Sequence, residues 1–468
     1  MRKAILCVGL LAGAAIAGVA SLWGQEKKPV RPPAILDLIG YAQAAPPEFA
    51  ADALIRIAES DKITDNAWKR ELLEQALLIA PGAQYKTKRP NAAGGGGANA
   101  GFLSYAFEME MDTLSLQLRA LKTLYKTDPK RARELFLQIP PLRLQPLTCN
   151  DALTYDVSPF YEALGEMFRD QKVDFLEPYV QQINSHTQVD PVIELILTRK
   201  SAPRDLEKLA AELSAALPQI EHDPRSFSRF RNMKEVNDLA TALQAAGISP
   251  QGFLTAYQNY IEAHLSARQC RSEYWTNPVY TKNRRFRSPD ETPFTSPIND
   301  AMFKPDRTFE FEEGQPPNDP ASPDADKLVK QVLALGNNTD GKPATDADKK
   351  GIAWQTALSE FRNALEEWKQ EAEKTPENYF YAKCLLLAML LEKVPRSDTE
   401  LRANVVQSYT AFLVASPMRV TSRIEWWRQA RGLLENTPEA TAAFARSQDP
   451  VMWLYVNLNK TLGPLKPQ

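Results

Sequence analysis

Again and again along this chain a short oxygen-bearing residue stands directly before proline, as at Asp128-Pro129, Ser158-Pro159, Asp190-Pro191, Ser249-Pro250, Thr375-Pro376, Thr437-Pro438 and Asp449-Pro450. The first residue of such a pair offers an oxygen to the open N–H groups of a helix's first turn. Proline presets φ there, and its missing N–H costs nothing. Each pair precedes apolar residues at helical spacing. These starts account for much of a proline surplus, 35 in 468 residues, about 7.5% against a usual ~5%. Glycine is scarce, at 20. Few glycines and many helix starts argue against a β-protein, which needs glycine-rich turns and alternating β-branched residues.

The spacing of apolar residues agrees. Leu114, Leu118, Leu121 and Tyr125 recur at steps of four, three and four. Asp128-Pro129 follows, then Ala132, Leu135, Phe136 and Ile139, which predicts a helical hairpin. Phe49, Ala53 and Ile57, then Trp68, Leu72, Leu73, Ala76 and Ile79, predict another. Phe253, Tyr257, Ile261 and Leu265 line a third helix face. No stretch alternates as a strand would. The expected class is all-α, with helical hairpins stacked as an α-solenoid.

Two interruptions organise the chain. Residues 85–100 hold basic residues and then Gly94 to Gly97, a surface-loop composition. Residues 271–325 are rich in proline and aromatics and lack a helical period, an unusual length of irregular chain inside a compact domain. Its rings, Trp275 and Phe286 among them, predict an ordered path across the helices rather than a disordered linker. The expected parts are a signal segment (1–24), a helical-repeat region (33–270), the irregular connection (271–325) and a second helical region (326–464). Within the last, Ala357, Phe361, Ala364 and Leu365, followed by Pro376, Tyr379 and Ala382, resemble the tetratricopeptide-like α-solenoid class. The steady period of 34 and the full repeat signature are missing, so the resemblance concerns architecture. It implies a superhelix with an extended binding surface.

Met1-Arg2-Lys3 is a basic head. Residues Ala4 to Trp23 are uncharged, and Gln25-Glu26-Lys27-Lys28 is polar again. That order reads as an export signal, cleaved after Ala20 or Gly24; an uncleaved tether is the alternative. The expected location is periplasmic or extracellular. Cys149, Cys270 and Cys384 remain after cleavage. Export permits a disulfide, and Cys149–Cys270 is the preferred pair, because Cys384 lies on an apolar helix face.

Chemistry is sparsely written. Fifty-six basic against 58 acidic residues give a net charge of −2, with no drive toward nucleic acid. The histidines are His186, His222 and His264. His186, Asp190 and Glu194 have ligand spacing, but Pro191 is expected to break that helix and Asp190 to cap the next one. No metal or other cofactor is expected, and no catalytic residue is assigned. Lys282, Arg284, Arg285 and Arg287 form a basic cluster, a candidate anion-contact loop whose plainer fate is pairing with nearby acids. Trp426 and Trp427 are candidate ligand-stacking rings, although packing on two sides of a helix is the commoner use of adjacent tryptophans.

The preferred expectation is a non-catalytic binding or scaffold module in the cell envelope, with a protein partner and with membrane attachment only if the N-terminal segment stays uncleaved. The alternative is a carbohydrate-active hydrolase or lyase on a helical toroid, using paired carboxylates.

Overall fold

A computed structural model describes residues 31–87, 105–147, 155–199, 202–222, 233–266, 323–338, 341–370 and 376–463. The segment read as an export signal, Cys149, Cys270, the Lys282–Arg287 cluster and nearly all of the irregular connection 271–325 lie outside these residues. Among the described residues the regular structure is helical, with one isolated antiparallel bridge between Asn337 and Pro343.

The first half of the chain forms α1 (Pro33–Ala44), α2 (Pro47–Glu59), α3 (Asn66–Ile79), α4 (Tyr105–Glu108), α5 (Thr113–Tyr125), α6 (Pro129–Phe136), α7 (Ser158–Met167), α8 (Glu177–Gln181), α9 (Val189–Thr198), α10 (Pro203–Ala216), α11 (Lys234–Ala245) and α12 (Gln251–Ser266). The second half forms α13 (Pro323–Ala334), α14 (Ile352–Glu367), α15 (Pro376–Lys393), α16 (Thr399–Ala415), α17 (Met418–Thr421), α18 (Arg423–Asn436), α19 (Ala440–Ser447) and α20 (Pro450–Leu462).

Several starts follow the capping logic. Asp128 accepts from the Arg131 N–H at the head of α6, and Asp449 accepts from both Val451 and Met452 at the head of α20. Others depart from it. Ser158 is itself the first residue of α7, and its N–H is held by Asp156. Asp190 lies inside α9, which runs directly on from a 3₁₀ turn at His186–Gln188. Pro191 therefore does not break the helix there. It sits in the first turn, where no intrahelical N–H bond is due. Thr437 precedes α19 by several residues, and the N-cap is Glu439.

Two hydrophobic cores form. One draws on residues 35–132 and 325–458 together, and the other on residues 114–260. The stretch 271–325 therefore does not separate the cores: helices from both sides of it share the first. Helix α5 joins the two. Its Leu116, Ala120 and Leu124 face the first core, and its Leu114, Leu118 and Leu121 face the second. The helix is apolar on opposite sides, as a helix enclosed on both must be.

One line of packed helices runs through the described residues, with cross-contacts such as α2 on α5 and α2 on α20. From α12 and α10 it passes through α9, α7, α5, α3 and α2 to α1; α1 lies against α20, and the series continues through α19, α16 and α15 to α13 and α14. The first and last helices of the described chain are thus neighbours in its middle.

Their joint is aromatic at its centre and ionic around it. Phe49 meets Trp427 and Tyr455 edge-on, with centroids 5.8 and 6.3 Å away, and Trp427 lies 4.1 Å from Tyr455. Arg423 grips the buried Glu48 through two nitrogens, at 2.5 and 3.2 Å. Tyr85 donates to Glu425 at 2.5 Å, and Gln84 Nε2 donates to the Thr421 carbonyl at 2.6 Å. Asp52 accepts from Arg119 at 2.9 Å and from the Tyr455 hydroxyl at 2.7 Å.

This joint uses Trp426 and Trp427 for packing, the commoner use of adjacent tryptophans, and not as stacking platforms. Their exposures are 0% and 1%, and Trp426 Nε1 donates to the Leu413 carbonyl at 2.8 Å. No ring face is left for a ligand, because both rings are spent on closing the first core.

Candidate functional site

Two concavities bring ionisable side chains together. The larger, about 360 Å³, opens between α14, α15 and α16. Helices α14 and α15 each pack on α13, and the space between them is the cavity. Each wall is one helix face. Arg362, Leu365, Glu366 and Lys369 recur at i, i+3, i+4 and i+7 along α14 and its end; Lys383, Leu387 and Leu390 do so along α15. Helix α16 adds Val405, Ser408 and Phe412.

Lys383 is the unusual member. It is 9% exposed. Its ammonium donates to the Trp368 carbonyl at 3.1 Å and to the Tyr379 hydroxyl at 3.0 Å, and Tyr379 in turn donates to the same carbonyl at 3.0 Å. The rings of Tyr379 and Phe412 lie 5.4 and 5.5 Å from the nitrogen, within cation–π range. Burial pushes the Lys383 amine down to about 8, the Lys369 charge works in the same direction, and Glu366 opposes both. At neutral pH it is mostly cationic.

Three of the buried carboxylates have ionic partners. Glu48 faces Arg423, Asp52 faces Arg119, and Asp449 faces Arg419. Among the described residues, none of Lys383, Arg362 and Lys369 forms an ion pair. Lys369 donates to the Glu366 backbone carbonyl. The cavity therefore holds three cations and one carboxylate over an apolar floor.

The second concavity, about 280 Å³, lies between α7 and α9. Gly165 sets their approach: a Cβ there would sit 3.0 Å from Leu195 Cδ1. Glu162 and Glu166 line it from α7 and Glu194 from α9, with Arg169 and Arg199 at its edge. Burial lowers the Arg199 pKa, against the pull of Asp205 and Asp170.

The sequence-predicted positions are not brought together. Trp426 and Trp427 are core. His186 is buried beside Tyr260, whose hydroxyl is 2.6 Å from Nδ1. No group of three or more His, Cys, Asp or Glu among the described residues could hold a metal ion. Cys384 is a buried thiol, and burial pushes its pKa up. No described helix is long and apolar enough to cross a membrane. The residues missed were Lys383 and the two helix faces opposite it. Their signal was a lysine four residues after Tyr379 on an otherwise apolar face.

No protein-family model, curated protein or solved structure matches this chain.

Proposed function

We propose that the protein is an exported, non-catalytic binding module of the cell envelope, a tetratricopeptide-like α-solenoid that acts by holding a protein partner. The observation that carries this reading is the helix series, in which neighbours stack one on the next from α12 to α14. Such stacks present long continuous surfaces to a partner. Export rests on the composition of residues 1–24, with the periplasm or the extracellular space as destination and an uncleaved tether as the variant. The test is capture of the tagged protein from its native envelope, with native mass spectrometry of the product and N-terminal sequencing. A partner retained at fixed stoichiometry supports the reading. A partner-free protein across several native preparations overturns it, and an unprocessed N-terminus in the cytosolic fraction overturns export.

The cleft between α7 and α9 favours a second reading, a polysaccharide hydrolase or lyase with Glu162 and Glu194 as the carboxylates on opposite walls. It requires turnover of an envelope polysaccharide that Glu162→Gln or Glu194→Gln abolishes without unfolding. An inactive wild-type protein sinks it.

A further inference from the structure

We infer that the cavity between α14, α15 and α16 is a binding site for a small amphiphilic carboxylate, whose anionic head is held by Lys383 with Arg362 and Lys369, and whose apolar body lies on Leu387, Leu390 and Phe412. Three observations converge. The cavity, about 360 Å³, has the size of a small-molecule site. Lys383, buried at 9% exposure, has no ionic partner among the described residues, whereas the buried Glu48, Asp52 and Asp449 each have an arginine; Arg362 is half-buried and Lys369 exposed at the cavity's mouth. A buried charge without a counter-ion is costly, and a bound anion supplies one. Apart from Glu366 and Ser408 the remaining wall is apolar, which disfavours a free inorganic anion and rewards a ligand with a hydrocarbon body.

The Lys383 ammonium has three protons and two acceptors, Trp368 O and the Tyr379 hydroxyl. The third proton serves the ligand carboxylate. Tyr379, fixed on Trp368 O, positions the amine rather than contacting the ligand. The charged and titratable groups around the amine are Arg362 and Glu366 on α14, Lys369 beyond it and Tyr379 on α15; α16 contributes Ser408 and apolar residues.

The site is independent of the partner reading, since it is tested on the purified protein alone. Decanoate is titrated into it calorimetrically at pH 7, beside decanol, decyltrimethylammonium and inorganic phosphate. The expected result is one saturable decanoate site per chain, at least tenfold tighter than any of the other three. Lys383→Met, which suits an apolar wall, weakens decanoate at least tenfold while leaving the melting temperature within a few degrees. Arg362→Ala, at the cavity's edge, weakens it a few-fold. Decanoate affinity falls as pH rises from 7 to 10, because the amine loses its proton while the carboxylate stays ionised. Lys383→Met flattens that profile. Equal binding of decanoate and decanol, an unchanged affinity in Lys383→Met, tighter binding of phosphate, or no saturable decanoate binding at millimolar concentration each overturns the site.

Discussion

His186 is an imidazole that folding keeps neutral. Burial first, and then the neighbouring His264, push its pKa from 6.5 down to about 3, and His264 itself is lowered to about 4, mainly by burial and further by His222. The unfolded chain takes up these protons near pH 6.5, and the folded chain does so only well below. The native state is therefore at full advantage above pH 6.5 and loses it as the pH falls toward 3. At pH 5 the loss from His186 alone is about 2 kcal/mol. Urea midpoints at pH 7, 6 and 5 should fall in step, and His186→Gln should flatten the fall. A wild-type midpoint constant from pH 7 to 5 would contradict this account. Asp52 works at lower pH. Burial alone would raise its pKa, but Arg119, Arg56 and the Tyr455 hydroxyl outweigh burial and hold it below the usual carboxylate value. Its contribution is complete above about pH 4 and is lost as the pH drops through the depressed folded value. Asp52→Asn should cost ~2–4 kcal/mol by breaking the buried pair with Arg119, which keeps only its longer pair with Glu110. Tyr455→Phe, which removes one donor, should cost ~1–3 kcal/mol. Equilibrium unfolding of the two variants ranks them, and a larger cost for Tyr455→Phe would show that the ion pair is not the main term.

Among the elements, α20 depends on a single carboxylate. One oxygen of Asp449 caps two N–H groups of its first turn, and the other pairs with Arg419 in α17. Asp449 thus starts α20 and fastens it to α17. Asp449→Ala should destabilise the protein by ~2–4 kcal/mol, more than a cap alone, because it also strips a partly buried arginine of its partner. Asp449→Asn keeps the cap and loses the charge, so it should fall between the two. Urea unfolding of both variants checks that order. The start of α20 was legible because capping involves residues within three or four positions. The start of α9 was misread for a related reason. Pro191 stops a helix only if an α-helical turn already precedes it; here the preceding turn is 3₁₀, held by the bonds of the Gln188 side chain to the Asn184 and Ser185 N–H groups, and Pro191 falls in the first turn of α9. Helix α5 shows the same limit. Leu114, Leu118 and Leu121 were visible as one face, and Leu116, Ala120 and Leu124 on the other became core because a second layer covers them.

At the scale of the molecule, helices before residue 132 and after 325 close one core, and Phe49 stands where they meet. Phe49→Ala should cost ~3–5 kcal/mol. A protease site inserted within residues 271–320 should yield two fragments that stay associated after cleavage and melt in one transition, as size-exclusion chromatography and calorimetry would record. Fragments that separate in native buffer would show that the shared core does not hold them. The helical class, the starts at Asp128 and Asp449 and the apolar periodicity were all readable from the amino acids in order, since each depends on neighbours a turn away. The partners that bury Trp426 and Trp427, the pairing of the first helix with the last, and the cavity around Lys383 were not. They rest on contacts such as Tyr455 to Asp52, 403 positions apart. Shape and charge complementarity choose such partners only once the chain has folded back on itself, and no local window of sequence carries that choice.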